Sequence, residues 1–573
     1  MNQRQMVSKA DIFGALSLMT VVWILYQVNG TVLPSNDVTV NVELPANVWE
    51  RRSVVFFPQD HPSMFVWRSG EDQYNVWYWE AAAPDGRSWR DWQQHGQLEV
   101  ANSRYYLARS TDPARRGYVS TYGVGAGMIA LPIFVLGNTI DPDFWQSRSA
   151  KWMEGKWVAS ACVALSVGLI FLMASPLVGR WLSAVIALTF GLATNVWSMT
   201  SQSLWQAAPS VLFITLAIYC LPRMQRHRAW AVMCGVATGC AVVCRESAVL
   251  FAAAVAGHLL VCMWLQRDPG IAWFRRRAWR TFVGYVLGGL PFVLALGFYH
   301  WYYLGSPFTL AKTQAALWFA ESKMGNPNLW QTPFVIGFAG LLVSPSRGVL
   351  VYSPVLVFAI GGAVLVWKRK RYASFRPLTV VALLLIAMYA KYFDWHSGWS
   401  FGSRYTTDIL PMLAVCSVAI AKPLARNKRW KILFGLALAW SLFVQVLGAF
   451  AYNMVGWNNR PGYVLVDASG QAVQLLIDHE TAQLRAKVAG HQIRTVGMNV
   501  DLKPFRHRLW SICDSQLMYY VTHFSAARNK KLRDARRWLM EYDAVVPQGD
   551  VGTEEDDRPG LDAGSVDQAQ PLK

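Results

Sequence analysis

The chain has 573 residues, of which 53% are hydrophobic and only 16% are charged. Apolar runs of about 17 to 22 residues recur along it, the length at which an α-helix crosses a hydrocarbon core of about 30 Å. This pattern predicts an all-α polytopic membrane protein. The formal net charge of +19 is spread over short segments between the apolar runs instead of lying on one module, which argues against a nucleic-acid partner.

The first apolar run, residues 12–28, follows Arg4 and Lys9 and is not followed by a small-residue cleavage site. We therefore expect an uncleaved first span with a cytoplasmic start, which places the polar, tryptophan-rich segment from residue 30 outside. A further apolar stretch at residues 123–137 is short for a full crossing and contains glycine and proline. It predicts an interfacial or re-entrant helix.

About eleven transmembrane helices are predicted, and the stretch 337–346 is ambiguous. Alternate turns between them are rich in arginine and lysine, which marks the cytoplasmic side. We therefore expect a multi-pass membrane protein whose other turns, rich in aromatic and polar residues, lie on the non-cytoplasmic side. The predicted spans are residues 12–28, 157–177, 182–199, 209–221, 229–243, 247–265, 282–302, 349–367, 378–392, 407–421 and 432–452.

The sequence divides into three regions. Residues 1–455 form the predicted transmembrane core, in which residues 30–155 are a long first extracytoplasmic loop with juxtamembrane helices. Residues 456–545 alternate β-like and polar stretches and predict a small extracytoplasmic α/β appendage, and the polar residues 546–573 are predicted to be disordered. The cytoplasmic loops are too short for a Rossmann-type domain, which excludes a nucleotide-sugar enzyme of that kind.

Ionisable side chains at membrane depth are costly, so each is a candidate for function. A carboxylate can take a proton from an acceptor hydroxyl while arginines hold the phosphate leaving group of a lipid-linked sugar. Aromatic side chains can stack on a sugar ring. The outward candidates are Asp37, Arg245, Glu246, His300, Arg347, Lys391, Asp394, His396 and Arg404, with the aromatic residues Tyr122, Tyr303 and Trp399.

Structural roles are open for the same residues. Asp37 also fits a solvated loop residue, and Arg347 fits an anchor to lipid headgroups. Arg404 and Asp394 could pair with each other and only stabilise a turn.

Five segments resemble the GT-C superfamily of membrane glycosyltransferases, which includes relatives of protein O-mannosyltransferases and of the enzyme that adds aminoarabinose to lipid A. The SPSRG and WSFGSRY motifs are the most specific. The segments are spread over most of residues 1–455: YVSTYGVGAGMIALP (118–132), WSMTSQSLWQAAPSVLF (197–213), YYLGSPF (302–308), GLLVSPSRGVLVYSPVL (340–356) and YAKYFDWHSGWSFGSRYTTDILP (389–411).

The resemblance implies a sugar donor on polyprenyl phosphate and a catalytic acid in the first external loop, just after the first helix. SNDVTVNVELP at residues 35–45 is similar to that segment, which makes Asp37 the implied general base. The sequence departs from the family pattern because Asn36-Asp37-Val38 stands in place of Gly-Asp-Glu, without a second acid beside Asp37. The alternative acids are Glu43, Asp60 and Asp72.

We therefore expect a GT-C-type glycosyltransferase that inverts the anomeric carbon, with Asp37 as general base and Arg347, Arg404 and Arg245 on the donor phosphate. Its partners would be the polyprenyl-phosphate sugar, an extracytoplasmic glycan, lipid or protein acceptor, and membrane lipid. No cofactor and no metal are expected, since one carboxylate is a poor divalent-ion site. A secondary transporter and a non-catalytic assembly protein of cell-envelope glycan pathways are the alternatives. The residues expected to bind substrate are Tyr122, His300, Tyr303, Asp394, His396 and Trp399.

Overall fold

A computed structural model describes most of the chain. The predicted disordered tail, residues 546–573, lies outside the described residues. The residues that the structure describes are 8–69, 72–75, 99–111, 117–141, 144–145, 147–224, 227–265, 272–324, 326–469, 471–476 and 479–543.

Apolar helices form the body of the molecule. The helices are α1 (Lys9–Gln27), α2 (Asn36–Arg51), α3 (Gly125–Ile140), α4 (Arg148–Val178), α5 (Arg180–Leu192), α6 (Asn195–Ser198), α7 (Ala207–Cys220), α8 (Arg228–Cys244), α9 (Val249–Leu265), α10 (Ala272–Leu304), α11 (Ala311–Met324), α12 (Phe334–Val343), α13 (Val349–Tyr352), α14 (Val357–Lys368), α15 (Arg376–Lys391), α16 (Leu410–Arg426), α17 (Lys428–Ala451), α18 (His479–Ala489), α19 (Gln516–Thr522) and α20 (Phe524–Asp543).

The all-α polytopic fold class is confirmed. Within the described residues, seven helices are long and apolar enough to cross a membrane, and a pair bent by 43° (Arg180–Leu192 with Asn195–Gln202) makes eight. The remaining three predicted spans coincide with α7, α8 and α14, which are apolar but shorter. The predicted count of about eleven crossings therefore stays a prediction. The stretches 123–137 and 337–346 coincide with two further short apolar helices, α3 and α12.

Glycines allow some of these helices to pack backbone against backbone. A Cβ atom on Gly235 in α8 would lie 2.0 Å from the backbone oxygen of Tyr285 in α10, and one on Gly288 would lie 2.2 Å from that of Val232. Small residues permit such close approach in membrane bundles. The contact fixes α8 against α10, and thereby the position of Arg245 directly after α8.

The segment between α1 and α3 folds over one end of the bundle. It contains α2 and five short strands, β1 (Phe65–Ser69), β2 (Asp72–Asn75), β3 (Glu99–Ser103), β4 (Leu107–Arg109) and β5 (Tyr118–Ser120). Strands β2, β1 and β3 pair in that order, β4 pairs with β5, and all pairs are antiparallel. Phe56, Phe65 and Tyr106 pack in a buried cluster against Val40 and Leu44 of α2. This packing fixes α2 and the aspartate at its start.

The C-terminal region also lies on this end. Strands β6 (Asn459–Val466), β7 (Ala472–Leu476) and β8 (Gln492–Asn499) form an antiparallel sheet in the order β7-β6-β8, and α18 packs against it. Ser344 Oγ donates to the backbone oxygen of Leu509 at 2.6 Å, which ties the region to the bundle. The end of β8 is thereby brought to the helix ends.

Candidate active site

A cavity of about 280 Å³ lies between the first external segment, the helix ends and the C-terminal region. We call it the Asp37 cavity. Among the described residues it is lined by three acidic and three cationic side chains, together with aromatic and amide groups. They are Asp37, Asp394, Asp501, Arg245, Lys312 and Arg404, with Tyr105, Tyr122, Trp205, Gln206, Tyr392, Trp399, Tyr405 and Asn499.

Asp37 lies in the first turn of α2 and faces this cavity. Its Oδ2 forms an ion pair with Nη1 of Arg404, and Tyr105 donates its hydroxyl to Oδ1 at 2.6 Å. Burial raises the pKa of this carboxyl, but the charge of Arg404 and hydrogen bonds from Tyr105, Arg404 and Tyr122 outweigh it, so the net pKa shift is downward. Asp37 is therefore ionised at neutral pH.

The two tyrosines beside Asp37 are fixed as hydrogen-bond donors. Burial, reinforced by the negative charge of Asp37, raises the pKa of Tyr105 and of Tyr122 well above 10. Both hydroxyls therefore keep their protons at physiological pH. A carboxylate surrounded in this way is held in one orientation.

Arg404 lies 367 residues after Asp37 in the sequence and lines the same cavity. It begins the 3-10 turn Arg404–Ile409 that leads into α16. The preceding loop bends sharply, with φ of 62° at Ser397 and 66° at Gly402, and the guanidinium carbon lies 5.0 Å from the ring centre of Trp205. The planar group is thus held between an aromatic face and a carboxylate.

Arg245 lines the cavity but is already paired. Its Nη1 lies 3.0 Å from Oδ1 of Asp408, and its Nη2 donates to the hydroxyl of Tyr389 at 3.3 Å. Asp408 is almost completely buried. The arginine contributes positive charge to the cavity, and that charge is paired with Asp408 in the wall.

Lys312 in α11 is a cavity residue that the sequence analysis did not identify. Its Nζ lies 5.6 Å from the ring centre of Tyr122, on the same side as Asp37. Burial, together with the charges of Arg245 and Arg404, lowers the pKa of Lys312 to about 8. Lys312 is thus a cation at neutral pH, and the described residues include no acid in direct ion-pair contact with it. The sequence offers one signal, a single charged residue in the otherwise uncharged stretch 311–320.

Two further acids of the cavity wall, Asp394 and Asp501, lie beside His396. His396 is fully buried, with Nε2 3.2 Å from Asp394 and Nδ1 3.9 Å from Asp501. These three residues have ligand atoms within 4.8 Å of one another, as a metal site would require. However, the two ring nitrogens face different carboxylates, and one ion can use only one of them. The imidazole of His396 lies between the two carboxylates, with Arg506 also close to both acids.

The C-terminal region contributes directly to this wall. Trp399 Nε1 donates to Oδ1 of Asn499 at 3.0 Å, and Asn499 ends β8. Asp501 follows two residues later and lines the same cavity. Sequence analysis placed Trp399 and Asp394 in the site but gave no means of bringing Asn499 and Asp501 to them.

Arg347 requires a correction. It was predicted to bind the donor phosphate, but it does not line the cavity, and its side chain is fully buried. Its donors are used by the backbone oxygens of Ser346, His396 and Gly398 and by Oδ1 of Asn458, at 2.8 to 3.0 Å. The SPSRG arginine thus holds the 396–398 loop in place instead of facing a ligand.

His300, Tyr303 and His396 also lie outside the cavity lining, although they were predicted to bind substrate. His300 is buried with Nε2 3.5 Å from Glu246, and Tyr303 packs beside Leu304 in a small apolar cluster. The position of His396 is behind Asp394. Tyr122, Asp394 and Trp399, by contrast, lie in the cavity wall as predicted for a site.

Two of the alternative acids, Glu43 and Asp60, do not line the cavity. Glu43 accepts from Lys151 at 2.6 Å, and Asp60 pairs with Arg51 near the surface. Asp72 lies in β2. Among the acids whose side chains the structure describes in the first external segment, Asp37 is therefore the one that lines the cavity.

No family model matches the sequence, and no curated protein does either. Among solved structures, the chain is similar to ArnT from Cupriavidus metallidurans bound to undecaprenyl phosphate, with 14% identity, a TM-score of 0.37, and coverage of 92% of this chain and 74% of that one. It is similar to ArnT of the same organism in the apo state, with 13% identity and the same TM-score and coverage. Likeness at this level assigns no role to any residue, so the roles rest on the geometry of the site.

Proposed function

We propose that this protein is a glycosyltransferase of the GT-C type that moves a sugar from a polyprenyl-phosphate donor to the hydroxyl of an extracytoplasmic acceptor, with inversion. The observation that carries the proposal is the position of Asp37. This carboxylate is ionised and oriented by Tyr105 and Arg404 inside a cavity that also contains Lys312 and Arg245. A base and several cations within one small volume suit transfer from a phosphate leaving group.

In the proposed reaction, Asp37 accepts the proton of the acceptor hydroxyl. The hydroxyl oxygen forms a bond to the anomeric carbon, and the bond between that carbon and the phosphate oxygen breaks. The electron pair leaves with the polyprenyl phosphate, whose charge is stabilised by Arg404 and Lys312. Attack from the face opposite the phosphate inverts the configuration.

The ion pair between Asp37 and Arg404 links donor binding to base strength. A donor phosphate that draws the guanidinium of Arg404 away removes the main charge that lowers the pKa of Asp37. The carboxylate then becomes a stronger base only when the leaving group is in place.

The membrane topology supports the same proposal. Basic turns at the other end of the bundle predict that the Asp37 cavity faces the periplasm or cell exterior. A polyprenyl chain would lie between helices in the lipid, with its phosphate at the cavity. The acceptor would enter from the aqueous side.

The decisive test replaces Asp37 with Asn in protein reconstituted in liposomes. Undecaprenyl-phosphate [³H]mannose, [³H]glucose and [³H]arabinose would be supplied separately with a total envelope extract as acceptor, and incorporation of label measured. We expect at least one donor to give a product, and Asp37→Asn to reduce its rate by about 100-fold or more.

Asp60→Asn is the matched control, because Asp60 belongs to the same external segment but pairs with Arg51 near the surface. Its rate should equal that of the parent. A rate for Asp37→Asn within about threefold of the parent, with unchanged thermal stability, would refute Asp37 as the base. Label that enters liposomes without incorporation would identify a transporter instead.

A further inference from the structure

A second cavity, of about 700 Å³, lies at the other end of the helices. We call it the Arg376 cavity. Its walls come from α9, from α10 near Ala278 and Thr281, and from the turn between α14 and α15. This end carries the basic turns that contain Arg223 and Arg371.

The lining of this cavity is mostly apolar and includes one guanidinium group. Arg376, the first residue of α15, donates from Nη2 to the backbone oxygen of Trp367 at 3.1 Å, and its carbon lies 5.5 Å from the Trp367 ring. Its Nε is buried and has no hydrogen-bond partner among the described residues. A buried N–H of this kind normally has a partner.

The charge of Arg376 is not balanced within the cavity wall. As far as the structure describes it, the lining contains no aspartate or glutamate, and Arg376 forms no ion pair there. The hydroxyls of Ser374 and Thr281 and the ring of His258 supply further polar groups. The cavity wall is therefore suited to a ligand that carries one negative charge.

The apolar part of the cavity is continuous with the lipid-facing surface. Val261, Val380 and Trp367 line the cavity, and each is 40 to 53% exposed. An occupant can therefore have a polar group inside and hydrocarbon chains along the helices outside. Free phosphate would leave the apolar walls without contact.

We propose that the Arg376 cavity binds an anionic membrane phospholipid, with its phosphate on the guanidinium group of Arg376. The hydroxyls of Ser374 and Thr281 lie in the same wall and are available to the headgroup. The acyl chains follow Val261 and Val380 toward the bilayer. This site is separate from the Asp37 cavity and does not depend on the proposed transfer reaction.

The distance between the cavities follows from α15. This helix begins at Arg376 in one cavity and ends at Lys391, next to Tyr392 of the other, and its 16 residues span about 24 Å at 1.5 Å per residue. A lipid in the Arg376 cavity therefore belongs to the leaflet opposite the proposed reaction.

Native mass spectrometry of the purified full chain in detergent tests the proposal. Phosphatidylglycerol and phosphatidylcholine with identical acyl chains would be titrated, because both contain a phosphate and only the first has net negative charge. We expect the parent to prefer phosphatidylglycerol by about tenfold, and Arg376→Gln to abolish that preference. Arg369→Gln, an exposed arginine of the same turn, should retain it.

A second variant removes space without touching the arginine. A Cβ atom on Gly257 meets nothing within 4 Å, and Gly257 lines the cavity, so Gly257→Leu should fill it and lower phosphatidylglycerol binding about tenfold. Gly435→Leu, in equally open space on α17, is the matched control and should bind normally.

Equal binding of the two lipids by the parent, an undiminished preference in Arg376→Gln, or undiminished phosphatidylglycerol binding in Gly257→Leu would overturn the proposal. Displacement of phosphatidylglycerol by millimolar inorganic phosphate would assign the site to a free anion instead of a lipid. Thermal stability of each variant shows whether the protein is folded.

Discussion

The two cavities differ in how their charges are arranged. The Asp37 cavity is the smaller, and its lining includes three acids and three cations. The Arg376 cavity is more than twice as large, and its described lining has one arginine and no acid. Both are proposed to bind a phosphate, but among the described lining residues only the Asp37 cavity places a carboxylate beside the cations. A reactive phosphate site needs a base, whereas a site that only retains a lipid does not.

The pairing of each cation shows the same distinction. In the Asp37 cavity Arg404 is paired with Asp37 and Arg245 with Asp408, so a ligand there competes with or exploits existing pairs. In the Arg376 cavity the buried Nε–H has no partner among the described residues. A ligand in the Asp37 cavity would change the electrostatic environment of Asp37. A ligand in the Arg376 cavity would accept hydrogen bonds from Arg376.

The largest effect after that of Asp37 is expected at Arg404. Arg404→Gln removes both the partner of Asp37 and the main cation for the leaving phosphate, so the transfer rate should fall by about 100-fold or more. Arg404→Lys keeps the charge but loses the planar fork, and should recover only part of this loss. Initial rates at saturating donor measure both.

The Arg404 variants test whether the ion pair between Asp37 and Arg404 takes part in the reaction. If Arg404→Gln and Asp37→Asn each slowed transfer by about 100-fold and the double variant were no slower than either, the two groups would act as one unit. Near-normal transfer by Arg404→Gln would show that the ion pair only stabilises the fold. Thermal unfolding in detergent separates loss of chemistry from loss of structure.

A smaller, pH-dependent effect is expected at Lys312. The pKa of about 8 means that this side chain is charged below pH 8 and loses its charge above it. At pH 9 roughly one tenth of the lysines remain protonated, so the rate should fall several-fold between pH 7 and pH 9. Lys312→Arg keeps the charge over that range and should move the decline to higher pH.

Lys312→Gln is the control for this fall in rate between pH 7 and pH 9. It should be slower than the parent at pH 7, by about tenfold, and its rate should not decline further by pH 9. A decline that persists unchanged in both Lys312→Arg and Lys312→Gln would assign the alkaline limb to another group. In kcat/KM for the donor, which reports the enzyme before the donor binds, the acid limb should lie below the ordinary pKa of an aspartate, because the net pKa shift of Asp37 is downward there.

The sequence predicted the part of this site that depends on topology. Asp37 and Arg404 are far apart in the chain, yet both follow or precede apolar spans at the same predicted end of the bundle. Once each turn is assigned to a side of the membrane, the alternation of spans places Asp37 and Arg404 at the same end of the bundle. The same logic identified Arg245, Asp394 and Trp399.

The parts that were missed depend on tertiary packing. SPSRG indicates an important arginine, but sequence alone cannot distinguish a guanidinium saturated by backbone oxygens, such as Arg347, from one that faces a cavity. Lys312 lies in a helix whose burial was not predicted. Asn499 and Asp501 reach the site only because the C-terminal sheet docks on the bundle.

The smallest expected effect concerns this docked wall, which distinguishes the Asp37 cavity from the Arg376 cavity. Trp399→Phe keeps an aromatic face but removes the Nε1–H that Asn499 accepts. We expect the KM for the acceptor to rise a few-fold with kcat nearly unchanged, since the N–H positions the wall and does not contact the reacting atoms.

Asn499→Ala removes the other side of the same hydrogen bond. If the bond is what orients the tryptophan, each single variant should raise KM by a similar factor, and the double variant should add little more. Effects that multiply in the double variant would mean that Trp399 and Asn499 contact the acceptor separately. In that case the C-terminal region would be part of the binding surface itself, and its removal should weaken acceptor binding far more than the loss of one hydrogen bond.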